Sequence, residues 1–578
     1  MRKFKKSVVF SLALLLLAAA CLQKPVTVKD ATRQAGEVLE SSGNYLEKAI
    51  ETATSVPTER PTQLPTEPPA DQPMVVTYRV FELSLTAQDP GTNAYLEGPS
   101  LEALFQGESG LANGQQMIVK GFWDGADTWI VRFAPPATGV WTYQTSSPDP
   151  GLDGVSGSLI AVPPEEQDYS QNPLLHGFLE ADGDAWKLSD GTPFLPVGDT
   201  QWSFSEEVTS AEWQQWVDAR SQQSFNSFLG SVWLAKYDRP EATLPPFPDQ
   251  DPKSDQLQVA YFQRLDQMVQ YANDHGIVMG LAIGGFPGNT QWFDRFGTRE
   301  RNDRWFQYIV ARYSAYNVRW ILYGEVNEKN PPWGTTWQEE VAHSAGLVKT
   351  EDPYDHPIGS HHTEVDTSCA VNTDIDYIEA QVDRDEQQYI TALALREYGK
   401  PIWFEEYWYE PEVYDNDVAL GIRNTHRNFI SALAFPTFGS LMRAHYPDFD
   451  IGEVSTDPGA MRMSYFARFY QGLEYKDFSS ASDLVSRGQC GRFGDNYAIF
   501  LEGGGEVALD LSNASGAYAV QKLDINSGQV TSLGIIQAGG THKIDTNTTS
   551  DVSLLAIKQL ERPLNFDPAI YLPLMIFR

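Results

Sequence analysis

The stretch NVRWILYGEVNEKN, residues 317–330, starts like a buried strand and ends in two carboxylates three positions apart. From Asn317 to Tyr323 the residues are mostly β-branched, aromatic or aliphatic, as a strand requires, and Arg319 is the single charge among them. The apolar run stops at Gly324, and Glu325 and Glu328 follow. A glutamate just past a strand is, alone, an ordinary solvated loop residue. It gains chemical meaning only if the strand belongs to a sheet whose carboxyl edge also carries a second acid.

The surrounding sequence supplies that sheet. Between about 172 and 478, short apolar runs alternate with helical patterns. The predicted strands are PFLPVG (193–198), FNSFLGSV (225–232), IVMGLAIG (277–284), VRWILYG (318–324), HPIGS (356–360), DYIEAQ (376–381), KPIWFEE (400–406) and FGSLMRA (438–444). Amphipathic stretches such as SAEWQQWVDARSQQ, DRWFQYIVARYSAY and WQEEVAHSAGLVK lie between most of them. Eight strands in roughly 300 residues predict a (β/α)8 barrel.

Both flanks read as all-β. Residues 74–165 alternate apolar and polar positions in MVVTYRVFELSLTA, TWIVRFAP and GVWTYQTSS, which suggests an immunoglobulin-like sandwich. Residues 480–562 repeat the pattern and predict a C-terminal sandwich. DGAD at 124–127 and DINSG at 524–528 look like fragments of calcium loops but are expected to be turns, the second because Ile535 stands where the closing Glu is required.

The chain begins MRKFKKSVVFSLALLLLAAAC: a basic segment, an apolar segment and small residues before Cys21, the pattern of an export signal over 1–21. The cysteine resembles a bacterial lipoprotein site, although Leu17 stands one place too early for the usual motif. Lipid attachment at Cys21 is expected, with ordinary secretion the alternative. Residues 22–73, ending in SVPTERPTQLPTEPPADQP, are a Pro- and Thr-rich tether. Cys369 and Cys490 have no metal-type spacing and are equally open to pairing or to remaining free thiols. The tail, 563–578, is apolar but too short to span a bilayer. With 42 Lys and Arg against 77 Asp and Glu, the formal charge of −35 disfavours nucleic acid and anionic membrane surfaces as partners.

If the barrel is correct, Glu325 ends its fourth strand, and the seventh, KPIWFEEYWYE, ends in Glu405, Glu406 and then Glu410. Barrel chemistry sits at the carboxyl ends of the strands. Glycoside cleavage needs a facing acid pair: one protonates the leaving oxygen while the other attacks the anomeric carbon or activates water. Side-chain alternation sends Glu405 and Glu406 in opposite directions, so one enters the site and the other is expected to meet a helix or a loop cation. Trp403, Phe404, Tyr407, Trp408 and Tyr409 offer sugar-stacking faces and an apolar wall.

On DGTPFLPVGDTQW, NVRWILYGE and KPIWFEEYWYE the barrel resembles the apiosidase-like glycoside hydrolases, relatives of the clan A retaining glycosidases. Clan A enzymes place an Asn-Glu pair at the end of strand four, with a Trp five residues before that Glu; Trp320 precedes Glu325 by five. The resemblance therefore implies Glu325 as acid/base and Glu406 as nucleophile, and Gly324 stands where clan A has Asn. The two acids are 81 positions apart, close to three barrel units of roughly 30 residues each. It also implies that the N-terminal sandwich is the domain often joined to these barrels, and the C-terminal one resembles a domain bearing a collagen-binding label. Asp199 and Trp202 match the family and are expected to hold a hydroxyl and stack on a ring, with helix capping the alternative for Asp199. His361, His362, Gln381 and His445 fall at predicted strand ends as possible substrate donors. No metal spacing or nucleotide-binding glycine loop is visible, so no metal or cofactor is expected. The expected partner is an oligo- or polysaccharide. An inactive carbohydrate-binding barrel, or an adhesin using its sandwiches, is the alternative.

Overall fold

The structure of the chain, a computed structural model, describes residues 72–234, 244–363, 367–368, 370–382, 387–408, 418–439, 457–475 and 477–559. The signal segment with Cys21, all but the last two tether positions, Cys369, Tyr409, Glu410, His445 and the C-terminal tail lie outside them. No helix among the described residues is long and apolar enough to cross a membrane.

Eight parallel strands form the barrel: β1 Gly198–Thr200, β2 Ser227–Ser231, β3 Val278–Ala282, β4 Val318–Ile321, β5 Ile358–Gly359, β6 Ile378–Gln381, β7 Ile402–Glu406 and β8 Ala434–Phe438. They pair in the order β5-β4-β3-β2-β1-β8-β7-β6, and the Asp376 backbone N–H, just before β6, donates to Ile358 O of β5 at 2.8 Å. Two predicted strands are corrected. β1 begins at Gly198, beyond Pro193 and Pro196, which have no N–H to give a ladder. β8 is AFPTF, ahead of the predicted FGSLMRA, of which 440–444 lie outside the described residues; Pro436, which argues against a strand, sits opposite Phe404 of β7. The helix before it, Val418–Ala432, also escaped the sequence reading.

Alternation along β4 shows how the barrel is filled. Trp320 turns outward into the helix layer, where its indole N–H donates to Asp352 Oδ2 at 2.7 Å. Arg319 turns inward over the Trp403 ring, 3.8 Å from its centroid. Trp186, from the hairpin of Leu179–Asp182 and Ala185–Leu188, packs edge-on against Trp403 and Tyr377 and floors this interior. The charged layer thus rests on aromatic rings.

The N-terminal sandwich packs a five-stranded and a three-stranded sheet around Phe105, Phe133 and Trp141. DGAD is a hairpin turn, with the Asp124 N–H donating to Thr128 O at 2.9 Å. Its Asp124 carboxylate accepts from Arg312 of the barrel at 2.7 Å. Arg312 and Arg132 of the sandwich both hold Asp266, each at 2.6 Å, so the two bodies are joined through buried ion pairs.

The C-terminal sandwich, a six-stranded and a two-stranded sheet, docks on helix Val418–Ala432. DINSG is a turn, closed by backbone N–H groups of Asn526 and Ser527 donating to Asp524 Oδ1. Cys490 is a free, buried thiol, pushed up to about 12 by burial. Arg427 meets Glu502 at 2.5 Å and Arg423 meets Asp551 at 2.7 Å across the junction. Between these pairs His426 is fully buried, its Nδ1 2.6 Å from Ser553 Oγ. Burial drives this imidazole down to about 3, against the charge of Asp551. The folded protein keeps it neutral where an unfolded chain, near 6.5, would take up a proton. The junction therefore holds this contribution in full above about pH 6.5 and loses it progressively as the pH falls toward about 3. In thermal melts between pH 7 and 4.5, His426→Gln should flatten the acid loss of Tm relative to wild type. Parallel curves would remove His426 as its source.

Candidate active site

Past β4 the chain turns sharply to present Glu325. Its φ/ψ of 46°/44° is left-handed, a conformation costing a side chain about 1 kcal/mol that persists only where neighbours impose it. The neighbours are backbone. The His361 N–H donates to Tyr323 O, and the Val326 N–H to His361 O, both at 3.1 Å. Glu325 and His361 are thereby fixed side by side.

Gly324 has a local reason as well. A Cβ there would lie 2.6 Å from the Phe286 ring, so Phe286 fills the space where a clan A Asn would project. Phe286 also packs edge-on against Trp202, which in turn packs edge-on against His361 at 5.3 Å.

On β7, the pairing register with β6 shifts between Ala380 and Gln381. Through this irregularity Gln381 pairs with Glu406 and strict alternation is broken. Glu405 enters the barrel interior, a correction to the expected helix or loop partner. It is gripped by Arg319 of β4, at 2.5 Å from Nη1 and 3.1 Å from Nη2, and accepts from Thr437 Oγ1 at 3.3 Å. Glu406 lies at the mouth, its side chain 21% exposed, with Oε2 3.3 Å from His361 Nε2. Glu325 accepts from Gln381 Nε2 at 3.4 Å.

The two carboxyl groups feel each other. Burial raises Glu325 above the usual carboxylate range, the Glu406 charge raises it further, and His361 pulls partly against both. Burial alone would lower the His361 imidazole, but the contact and charge of Glu406, backed by Glu379 and Glu325, bring it up to about 8. Glu328, by contrast, is exposed on the short helix beyond Glu325.

Four expected substrate residues are placed elsewhere. Asp199 is fully buried and paired with Arg220 of helix Ser210–Gln222 at 2.5 Å, so it faces the helix layer. Tyr407 and Trp408, each 3% exposed, pack on helix Val418–Ala432: Tyr407 meets Thr425, and Trp408 covers Gly421. They follow the strand end into the outer layer, where no sugar could stack on them. His362 is buried edge-on against Trp337. Glu379, Tyr377 and Phe286 were missed, although an acid inside the apolar run DYIEAQ is a visible signal. Among the described residues no group of three or more His, Cys, Asp or Glu is arranged to hold a metal ion.

Residues 181–432 match the family described as Apiosidase-like, catalytic domain, and residues 74–148 match DUF5060, a domain of unknown function. No curated protein matches the chain by sequence. Among solved structures, a candidate glycoside hydrolase from Bacteroides vulgatus is 20% identical, with a TM-score of 0.69 over 84% of this chain and 100% of that one. A glycoside hydrolase family 5 protein from the same species is 15% identical, with a TM-score of 0.57 over 67% and 94%. A further structure described as a glycoside hydrolase is 15% identical, with a TM-score of 0.56 over 67% and 98%. At such identities these likenesses establish the fold. Residues 181–432 are thus similar to the apiosidase-like catalytic domain family and residues 74–148 to DUF5060, and the barrel between the two sandwiches has the fold of these solved glycoside hydrolases.

Proposed function

We propose that the chain hydrolyses glycosidic bonds in a plant or microbial saccharide by a retaining, two-carboxylate route. The observation that carries this reading is the unequal pair at the mouth: Glu325, raised by burial and by Glu406, beside Glu406, which has a cationic partner in His361. Environments that push two acids apart are how one protein keeps a proton donor and a nucleophile together at neutral pH. Glu325 protonates the leaving oxygen while Glu406 attacks the anomeric carbon. Glu325 then deprotonates the water that releases the sugar. Gln381 orients Glu325, and Trp202 with Phe286 walls the mouth beside His361. The N-terminal signal and Cys21 support an exported protein held at the cell envelope through lipid.

The test is a panel of aryl glycosides and plant and microbial polysaccharides, with the anomer of the first product read by proton NMR. Retention of configuration is expected. Inversion would rule out the covalent route, and binding without cleavage would favour an inactive carbohydrate-binding barrel.

A further inference from the structure

Beneath the mouth lies a buried charged layer that the two-carboxylate route does not use. Arg319 of β4, Tyr377 and Glu379 at β6, and Glu405 of β7 meet there, with His361 above them. Arg319 is committed to Glu405 at 2.5 Å and passes Glu379 at 3.9 Å. Tyr377 Oη donates to Glu379 Oε1 at 2.7 Å. That leaves Glu379 Oε2, which has no hydrogen-bond partner among the described residues, 3.8 Å from His361 Nδ1. The other nitrogen of the same ring is the one beside Glu406, at 3.3 Å. Gly359 of β5 makes room for this arrangement: a Cβ there would fall 2.4 Å from the Tyr377 ring and 2.7 Å from Glu379 Oε1.

We propose that Glu379 is a positioning residue for Glu406, acting through the His361 imidazole that lies between them. This rests on the reading of Glu406 as nucleophile. His361 is faced by Glu406, Glu379 and Glu325; Glu379 is faced by Glu405, Arg319, Tyr377 and His361. Burial and the Glu405 charge bring Glu379 up to about 8, the same range as His361, so near neutral pH the two share a proton, and its transfer to His361 leaves Glu379 ionised. Once Glu379 ionises it becomes the anion that keeps His361 charged, and with it the contact that fixes Glu406 Oε2. When Glu406 becomes an ester and loses its charge, Glu379 is the remaining acceptor for the proton on Nδ1. That proton passes between Nδ1 and Oε2, and no other atom is gained or lost.

The experiment uses the full chain labelled with 13C at histidine Cε1, with the His361 signal assigned by its loss in His361→Asn. In Glu379→Gln the His361 titration should fall by about one unit, the scale of one nearby charge. Tyr377→Phe, which removes the donor on Oε1 and so favours protonated Glu379, should move it the same way by less. On 2,4-dinitrophenyl glycosides, whose first step does not need the proton of Glu325, kcat/KM of Glu379→Gln should stay within about threefold of wild type below pH 7 and fall earlier on the alkaline side, following His361. An unmoved His361 titration in both variants overturns the proposal, as does a loss of kcat/KM equal at every pH, which marks a packing role. Failure to cleave any aryl glycoside is a different result: it counts against the glycosidase reading, while the titration still reports the Glu379–His361 coupling.

Discussion

Glu325→Ala should slow the hydrolysis of alkyl glycosides by roughly 10²–10⁴-fold, the scale of a lost general acid, while sparing the first step on dinitrophenyl glycosides. The difference follows from the leaving group: a poor one needs a proton in the transition state, and a good one does not. Added azide should restore turnover, because it attacks the glycosyl-enzyme without needing a base, and its product should keep the starting configuration. Glu406→Gln should form no intermediate and gain nothing from azide on this face. Glu328→Ala should behave as wild type, since Glu328 is exposed beyond the turn that presents Glu325. Azide rescue in Glu328→Ala with a near-normal Glu325→Ala would mean that the strand-four assignment is shifted by one turn.

The fold was legible because a parallel barrel writes its strands as short apolar runs at regular spacing, and VRWILYG and KPIWFEE are clean examples. It blurred where proline interrupts the pattern, at Pro196 before β1 and Pro436 within β8. In the site, strand ends could be read but side-chain direction could not. Period-two alternation would have sent Glu405 and Glu406 to opposite faces, and the irregular register at Ala380/Gln381 instead lets one enter the interior and the other reach the mouth. Tyr407 and Trp408 failed for a related reason: aromatic residues just past a strand end suit a sugar or the helix layer equally well, and only the position of Gly421 and Thr425 decides. Glu379 and Arg319 carried a local signal, a charge within an apolar strand. Their mutual partnership is non-local, joining β4, β6 and β7, and no spacing rule connects them.

That partnership makes Arg319 the residue whose loss should cost most in stability. Its guanidinium is fully buried, lies over Trp403 and is paired with Glu405; Gly280 leaves it room, since a Cβ there would stand 2.8 Å from Cζ. Arg319→Met keeps the volume and removes the only Arg or Lys that ion-pairs with Glu405 or Glu379 among the described residues. The buried Glu405 carboxylate is then left without its cation, which costs about 3–5 kcal/mol in comparable buried pairs. For a body of this size that is a fall on the order of 10 °C in the barrel transition. Adding Glu405→Gln to Arg319→Met removes the stranded charge along with its partner, so much of the loss should return. Calorimetry of wild type, both single variants and the double variant forms the cycle. If the double variant melts no higher than Arg319→Met, the damage comes from the lost guanidinium contact with the Trp403 ring rather than from unpaired charge.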